Sequence, residues 1–247
     1  MDMLRVEGLT KHYPAFTLDG ISFSVQAGRI MGLIGKNGAG KSTTLKSILR
    51  LVHPDAGEIK MFGENYAEHE AACKQSLGVV LGGADYFSHK KLRQITDVTR
   101  RFYQHWDAEA YGRYLEMFAL DENKRVKELS TGMKVKYAIA LALSHDAKLL
   151  IFDEPTSGLD PVARADLLEL FRALVKNGER SILYSTHITS DLERCADDIT
   201  YIKEGKLVCS AEKAAFIRAF DGLRQPGEDA LSLEEIMIRK EGRTYTI

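Results

Sequence analysis

IMGLIGKNGAGKSTTL, residues 30–45, changes character twice. It opens as a short apolar strand over 30–34, breaks into Gly35-Lys36-Asn37-Gly38-Ala39-Gly40, and continues as a helix from Lys41. G-x-x-x-x-G-K-[ST] between a strand and a helix is the pattern of a phosphate-cradling loop. The glycines let successive backbone N–H groups turn toward phosphate oxygens, and the helix start adds its positive end. Gly35, Asn37, Gly38, Ala39 and Gly40 supply that backbone, and Thr43 extends it into the first helical turn. Lys41 brings a charge to the β- and γ-phosphates, and the Ser42 hydroxyl is a candidate Mg²⁺ ligand. A plain glycine-rich turn is the competing reading, but it would not need Lys-Ser at this spacing.

The rest of the chain supplies what such a loop requires. Residues 149–152 form a buried apolar strand that delivers Asp153 to the metal side of a nucleotide, and Glu154 follows at once. One of these acids can serve Mg²⁺ while the other polarises water as general base. His187 ends a further strand over 181–185, at the carboxyl edge where α/β sheets hold ligands. Its expected work is to hold the γ-phosphate and the attacking water. A lone structural histidine and solvated strand-end acids are the bland alternatives.

Ile21-Ser22-Phe23-Ser24-Val25 alternates apolar and polar, a half-buried strand, and strands are also expected over 58–62 and 77–81. The helix after the phosphate loop is expected to reach Leu51. From Ser88 the period becomes helical: Ile95, Val98, Phe102 and Trp106 form one stripe, and Tyr111, Tyr114, Leu115 and Phe118 a second. A helix follows Ser130. Asp160-Pro161 is an N-cap with proline at the first helical position. Residues 199–203 and 206–209 form a hairpin around Glu204-Gly205. The fold class is therefore α/β, a mostly parallel sheet interrupted by a helical insertion over 86–146. One domain spans 1–222, and a C-terminal extension, 223–247, carries a short stripe from Leu231 to Ile238.

Composition excludes several classes. The chain has 247 residues, 45% of them hydrophobic and 28% charged, with 34 basic and 35 acidic residues and a net charge of −1. That balance does not favour nucleic acid as a partner. Cys73, Cys195 and Cys209 are isolated, which points to a reduced compartment. No signal core and no membrane-length apolar run is visible. Lys90, Lys91, Arg93, Arg100 and Arg101 read as a solvated face, or as a surface turned to a membrane or partner.

Leu129-Ser130-Thr131-Gly132-Met133 resembles the LSGGQ signature of the ABC ATPases, with Thr131 and Met133 at two altered positions. Ser157-Gly158-Leu159-Asp160 looks like that family's D-loop, His187 matches its switch histidine, and Tyr13 looks like the aromatic that stacks on adenine. The motifs occur in family order over residues 3–210. The resemblance implies a P-loop (RecA-like) core with an N-terminal antiparallel β-subdomain and an inserted helical subdomain. It also implies ATP and Mg²⁺ as ligands, and hydrolysis with Lys41, Glu154 and His187 as catalytic residues and Ser42 and Asp153 on the metal. Two ATP-binding subunits would close head-to-tail, Ser130 and Gly132 of one completing the phosphate cage of the other, with Asp160 alongside. Such a pair works on the cytoplasmic face of the membrane with a separate transmembrane permease subunit. Residues 129–164 and RRFYQHWDAEAY look most like bacterial exporters of drugs, antimicrobial peptides and other envelope-active compounds. The alternative within the family is a soluble ATPase acting on ribosomes or DNA. The family's Q-loop glutamine aligns with Gly82, which has no side chain to offer. Water is expected to fill its place, with Asp85 as the other candidate.

Overall fold

The structure, a computed structural model, describes residues 1–81 and 87–242. Gly82 and Asp85, the positions expected to replace the Q-loop glutamine, lie outside the described residues. The chain opens with two antiparallel strands, β1 (Asp2–Tyr13) and β2 (Phe16–Gln26), paired from Asp2 opposite Gln26 to Tyr13 opposite Phe16. Leu4, Val6, Leu18, Ile21, Phe23 and Val25 are buried between more exposed neighbours, the alternation of a sheet with one wet face. β3 (Ile30–Ile34) differs in that every residue is buried. Ile30 and Ile34 join the core on one side, and Met31 and Leu33 join a second core on the other. The strand feeds the phosphate loop and α1 (Lys41–Ile48). That helix ends before Leu51, because Arg50 turns left-handed at φ 54° and leaves Leu51 exposed. Next come β4 (Ala56–Met61), β5 (Glu64–Asn65), α2 (Glu70–Gln75) and β6 (Leu77–Val80).

The helical insertion holds α3 (Leu92–Thr99), α4 (Ala108–Met117) and α5 (Thr131–Ser144). The stripe expected through Val98, Phe102 and Trp106 is not a helix face. α3 gives way to a single 3₁₀ turn at Arg100–Phe102, and Val98 and Phe102 are exposed. The buried row on α3 is instead Leu92 and Thr96. The Thr96 hydroxyl joins the Tyr111 and Tyr137 hydroxyls at 2.7 and 2.8 Å, so a polar contact, invisible to a hydrophobic period, decides which face turns inward. Trp106 lies outside both helices, tilted against Tyr111 at 5.6 Å.

The second half alternates strands and helices: β7 (Leu149–Asp153), α6 (Pro161–Val175), β8 (Ser181–Thr186), α7 (Thr189–Cys195), β9 (Asp198–Lys203), β10 (Lys206–Glu212) and α8 (Lys213–Ala219). Glu204 and Gly205, at φ 49° and 78°, form the two-residue turn between β9 and β10. The described part of the extension carries α9 (Leu233–Glu241), and Leu231, Leu233 and Ile236 are buried in the same core as Phe152 and Tyr184. Among the described residues the strands form one curled sheet, ordered β5-β4-β1-β2-β10-β9-β3-β8-β7-β6. No described helix is long and apolar enough to cross a membrane. β3, β8 and β7 run parallel, with Ile34 opposite Thr186 and Asp153 opposite Ser185. Their carboxyl ends therefore converge beside the phosphate loop, where an α/β sheet presents ligands.

Candidate active site

The phosphate loop needs glycine at particular places. Gly40 sits at φ 113°, and a Cβ there would also press on Phe16 and Leu18 at 3.0 Å. Gly35 has no positive φ, but its Cβ would fall 2.3 Å from the Ile202 carbonyl, so close backbone approach fixes that position. The loop closes on itself and on the neighbouring hairpin. Ala39 N–H donates to the Lys36 carbonyl at 3.0 Å, and Gly205 N–H donates to the Ala39 carbonyl at 2.9 Å.

Lys41 is only 5% exposed. Its ammonium donates to the Gly35 carbonyl at 2.7 Å and lies 3.3 Å from Glu154 Oε1. A buried cation without such partners would be costly. Asp153 is buried and shared by two hydroxyls, Ser42 Oγ at 3.1 Å and Ser185 Oγ at 2.5 Å.

Glu154 explains how two consecutive acids reach one site. On a strand they would point to opposite faces. Glu154 instead adopts the left-handed φ of 51°, uncommon for a residue with a Cβ. Its N–H is held by the Ser185 carbonyl at 3.2 Å and the Ser185 hydroxyl at 3.1 Å. The carboxylate then spans Lys41 and His187, with Oε2 2.8 Å from His187 Nδ1. A carboxylate acceptor puts the ring proton on Nδ1.

A cleft of ≈ 690 Å³ is lined by Lys36, Asn37, Gly38, Gly40, Lys41, Ser42, Thr43, Glu154 and His187 with Ala15, Phe16 and Ser157. Most of the expected phosphate-loop residues thus meet Glu154 and His187 in one place, and Gly35 and Ala39 belong to the same loop. Tyr13 stands at the end of β1, partly exposed and facing Phe16 across the strand pair, and it is not among the cleft's lining residues. Phe16 and Ser185 are the additions that sequence reading missed. A serine directly before Thr186-His187, after the apolar Ile182-Leu183-Tyr184, was the available signal.

Ser130, Gly132 and Asp160 are also absent from the walls of this cleft. Ser130 N-caps α5, accepting from Met133 N–H at 3.2 Å, and Gly132 lies in the first turn. Asp160 N-caps α6, accepting from Val162 and Ala163 N–H at 3.0 Å, and these backbone bonds hold its carboxyl below the usual range.

Residues 18–157 match the ABC transporter family. The chain belongs to that family. As an ABC ATPase it binds ATP and hydrolyses it, the reaction with which the family drives transport. It is similar to the Nod factor export ATP-binding protein I of Burkholderia lata, 40% identical over 207 residues that cover 82% of this chain and 68% of that one. It is also similar to the bacitracin transport ATP-binding protein BcrA of Bacillus licheniformis, 33% identical over 209 residues, covering 83% and 68%. Among solved structures, an ATP binding subunit of an ABC transporter superposes with a TM-score of 0.82 at 30% identity, covering 96% of this chain and 98% of that one. CbiO1 of Clostridium perfringens, part of the cbiONQ complex, shares the fold with a TM-score of 0.70 at 23% identity, covering 91% and 96%. These likenesses agree with the P-loop α/β architecture of this ABC ATPase.

The residues also suit Mg²⁺. Ser42 and Asp153 offer hard oxygen donors side by side, at 3.1 Å, next to the phosphate loop. Mg²⁺ needs only one or two protein oxygens when phosphates and waters complete its shell.

Proposed function

We propose that this ABC ATPase is the ATP-hydrolysing subunit of a bacterial exporter, moving a drug, an antimicrobial peptide or another envelope-active compound through a separate transmembrane permease. The observation that carries the catalytic half of this reading is Glu154, held between Lys41 at 3.3 Å and His187 at 2.8 Å. The names of the Nod factor and bacitracin relatives support the export half.

The loop amides from Gly35 to Thr43 and the Lys41 ammonium bind the phosphates, and the Tyr13–Phe16 turn offers the adenine an aromatic face. Ser42 and Asp153 would hold Mg²⁺, which supplies positive charge to offset the phosphates. Glu154 takes the proton of the attacking water as general base, and His187 orients that water and the γ-phosphate. Lys41 stabilises the charge that spreads over the transferred group. Ser130, Gly132 and Asp160 act on the nucleotide of a second subunit closed head-to-tail, which fits their absence from the cleft walls of their own chain. The pair would sit on the cytoplasmic face of the membrane, with no nucleic acid involved.

Affinity purification from detergent-solubilised membranes, with Mg-ATPase assayed on the eluate, tests the whole reading. A multispan protein should copurify and Mg-dependent phosphate release should be measurable. Ribosomes or DNA in its place would overturn the transport assignment, and a chain with no ATPase activity in that complex would overturn the catalytic one.

A further inference from the structure

We infer that the C-terminal helix α9 is a clasp on the phosphate loop, with Glu241 as a positioning residue for nucleotide binding. The inference rests on the nucleotide reading above and adds to it a segment outside the family's motifs. Lys36, the second residue of the loop, donates from Nζ to the Glu241 backbone carbonyl at 2.5 Å and lies 3.3 Å from Glu241 Oε2. The other carboxylate oxygen, Oε1, accepts from the Tyr201 hydroxyl at 2.6 Å. Lys203 Nζ donates to the Lys240 carbonyl at 2.8 Å. The Glu241 side chain is 9% exposed.

These contacts solve a problem that the sequence creates. The last carbonyls of a helix lack intrahelical partners, and a carboxylate there opposes the helix dipole. Lys36 and Lys203 donate to two of those carbonyls, and Lys36 also offsets the Glu241 charge. β9 is the common floor. Ile202 lies under Gly35, while Tyr201 and Lys203, two residues apart and so on one side of the strand, reach α9. Gly35, Lys36, Asn37 and His187 line one pocket together with Met237, Ile238 and Glu241.

α9 does not depend on Lys36 for its own place. Ser232 and Glu235 form a capping box at its start, and Leu233 and Ile236 are buried. Arg239 pairs with both Glu228 carboxylate oxygens at 2.7 and 2.8 Å. A helix fixed in this way can hold the entry to the loop in the conformation whose amides converge on phosphate. Holding a binding loop beforehand raises affinity by removing part of the ordering cost.

The test uses the full-length chain, with Mg-ATP affinity from calorimetry beside steady-state hydrolysis. Glu241→Ala, Lys36→Met and the double variant are compared with wild type. Each single change should raise Kd and KM for ATP about 3–10-fold while kcat stays within about twofold, the split expected for lost binding alone. The double variant should lose less than the product of the two singles, because both changes remove the same Lys36–Glu241 ion pair, while the Lys36 bond to the Glu241 carbonyl is lost only in Lys36→Met. Tyr201→Phe should shift Kd in the same direction by less. An unchanged Kd in Glu241→Ala, or a double variant whose loss is the product of the two singles, overturns the clasp. If Glu241→Ala does not fold, Glu241→Gln is judged by the same criteria. A wild-type chain that binds no Mg-ATP defeats the nucleotide reading itself, before any variant is compared.

Discussion

Glu154 Oε2 stands 2.8 Å from His187 Nδ1, although the two residues end neighbouring strands and neither lies within the regular sheet. The left-handed turn at Glu154 makes the approach, and Ser185 holds that turn through its carbonyl and its hydroxyl. Strain of this kind costs roughly 1–3 kcal/mol and persists only where surrounding bonds over-determine it.

Glu154→Gln keeps the size of the side chain and its capacity to meet His187, but removes the carboxylate proposed as the base and the charge facing Lys41. ATP hydrolysis should fall about 10²–10⁴-fold, the usual worth of general acid–base catalysis, while ATP binding persists. Phosphate release and nucleotide affinity measured on the same preparation check this. With saturating Mg-ATP the variant should elute as a dimer on size-exclusion chromatography. Turnover within tenfold of wild type would assign the base elsewhere.

Ser185→Ala removes one of the two hydroxyls on Asp153 and one of the two acceptors that hold the Glu154 N–H. A buried carboxylate that loses a donor should cost about 1–3 kcal/mol of folding stability. The Mg²⁺ concentration for half-maximal hydrolysis should shift as well, because Asp153 loses part of its orientation. Denaturant unfolding and a Mg²⁺ titration read the two effects separately. A variant equal to wild type in both would reduce Ser185 to packing.

The phosphate loop, Asp153, Glu154 and His187 were legible because glycine, lysine and strand-end acids have few other uses at those spacings. The parallel core was legible because β3, β7 and β8 are apolar runs bounded by breaks. What escaped depended on which partners the fold brings together, most of them distant in sequence. Thr96 is buried because two tyrosines from other helices meet its hydroxyl, which no periodicity reveals. Tyr13 and Phe16 flank one tight turn, and strand pairing, not residue type, decides which of them lines the cleft. The contact between Lys36 and Glu241 joins the loop to a tail whose sequence shows only a short apolar stripe.

Thr96→Val keeps the shape of the α3 side chain and deletes its hydroxyl. Tyr137 retains a bond, since its hydroxyl donates to the Leu92 carbonyl at 2.9 Å. Tyr111 loses its contact with Thr96 in a buried place. The expected cost is about 1–3 kcal/mol, seen as a lower denaturation midpoint. Adding Tyr111→Phe should recover part of it, because removing both partners of a buried bond is less costly than removing one. A double variant less stable than Thr96→Val would contradict that account.

His145 should make folding stability fall as the solution turns acidic. Its ring stacks on Tyr103 with centroids 3.5 Å apart, and its Nδ1 lies 3.1 Å from the Gln75 carbonyl. Burial pushes its pKa below the ordinary 6.5, while the backbone bond to Gln75 and the nearby Asp146 oppose that push without cancelling it. The folded chain therefore binds this proton less readily than the unfolded chain. The contribution is complete above about pH 6.5 and declines as pH falls below the unfolded value, levelling off once the folded pKa is passed. Denaturation midpoints should drop between about pH 7 and pH 5. His145→Phe keeps a ring against Tyr103 and should flatten that part of the slope, even if it lowers stability throughout by removing the bond to Gln75. A variant with the wild-type slope would assign the acid sensitivity to other groups.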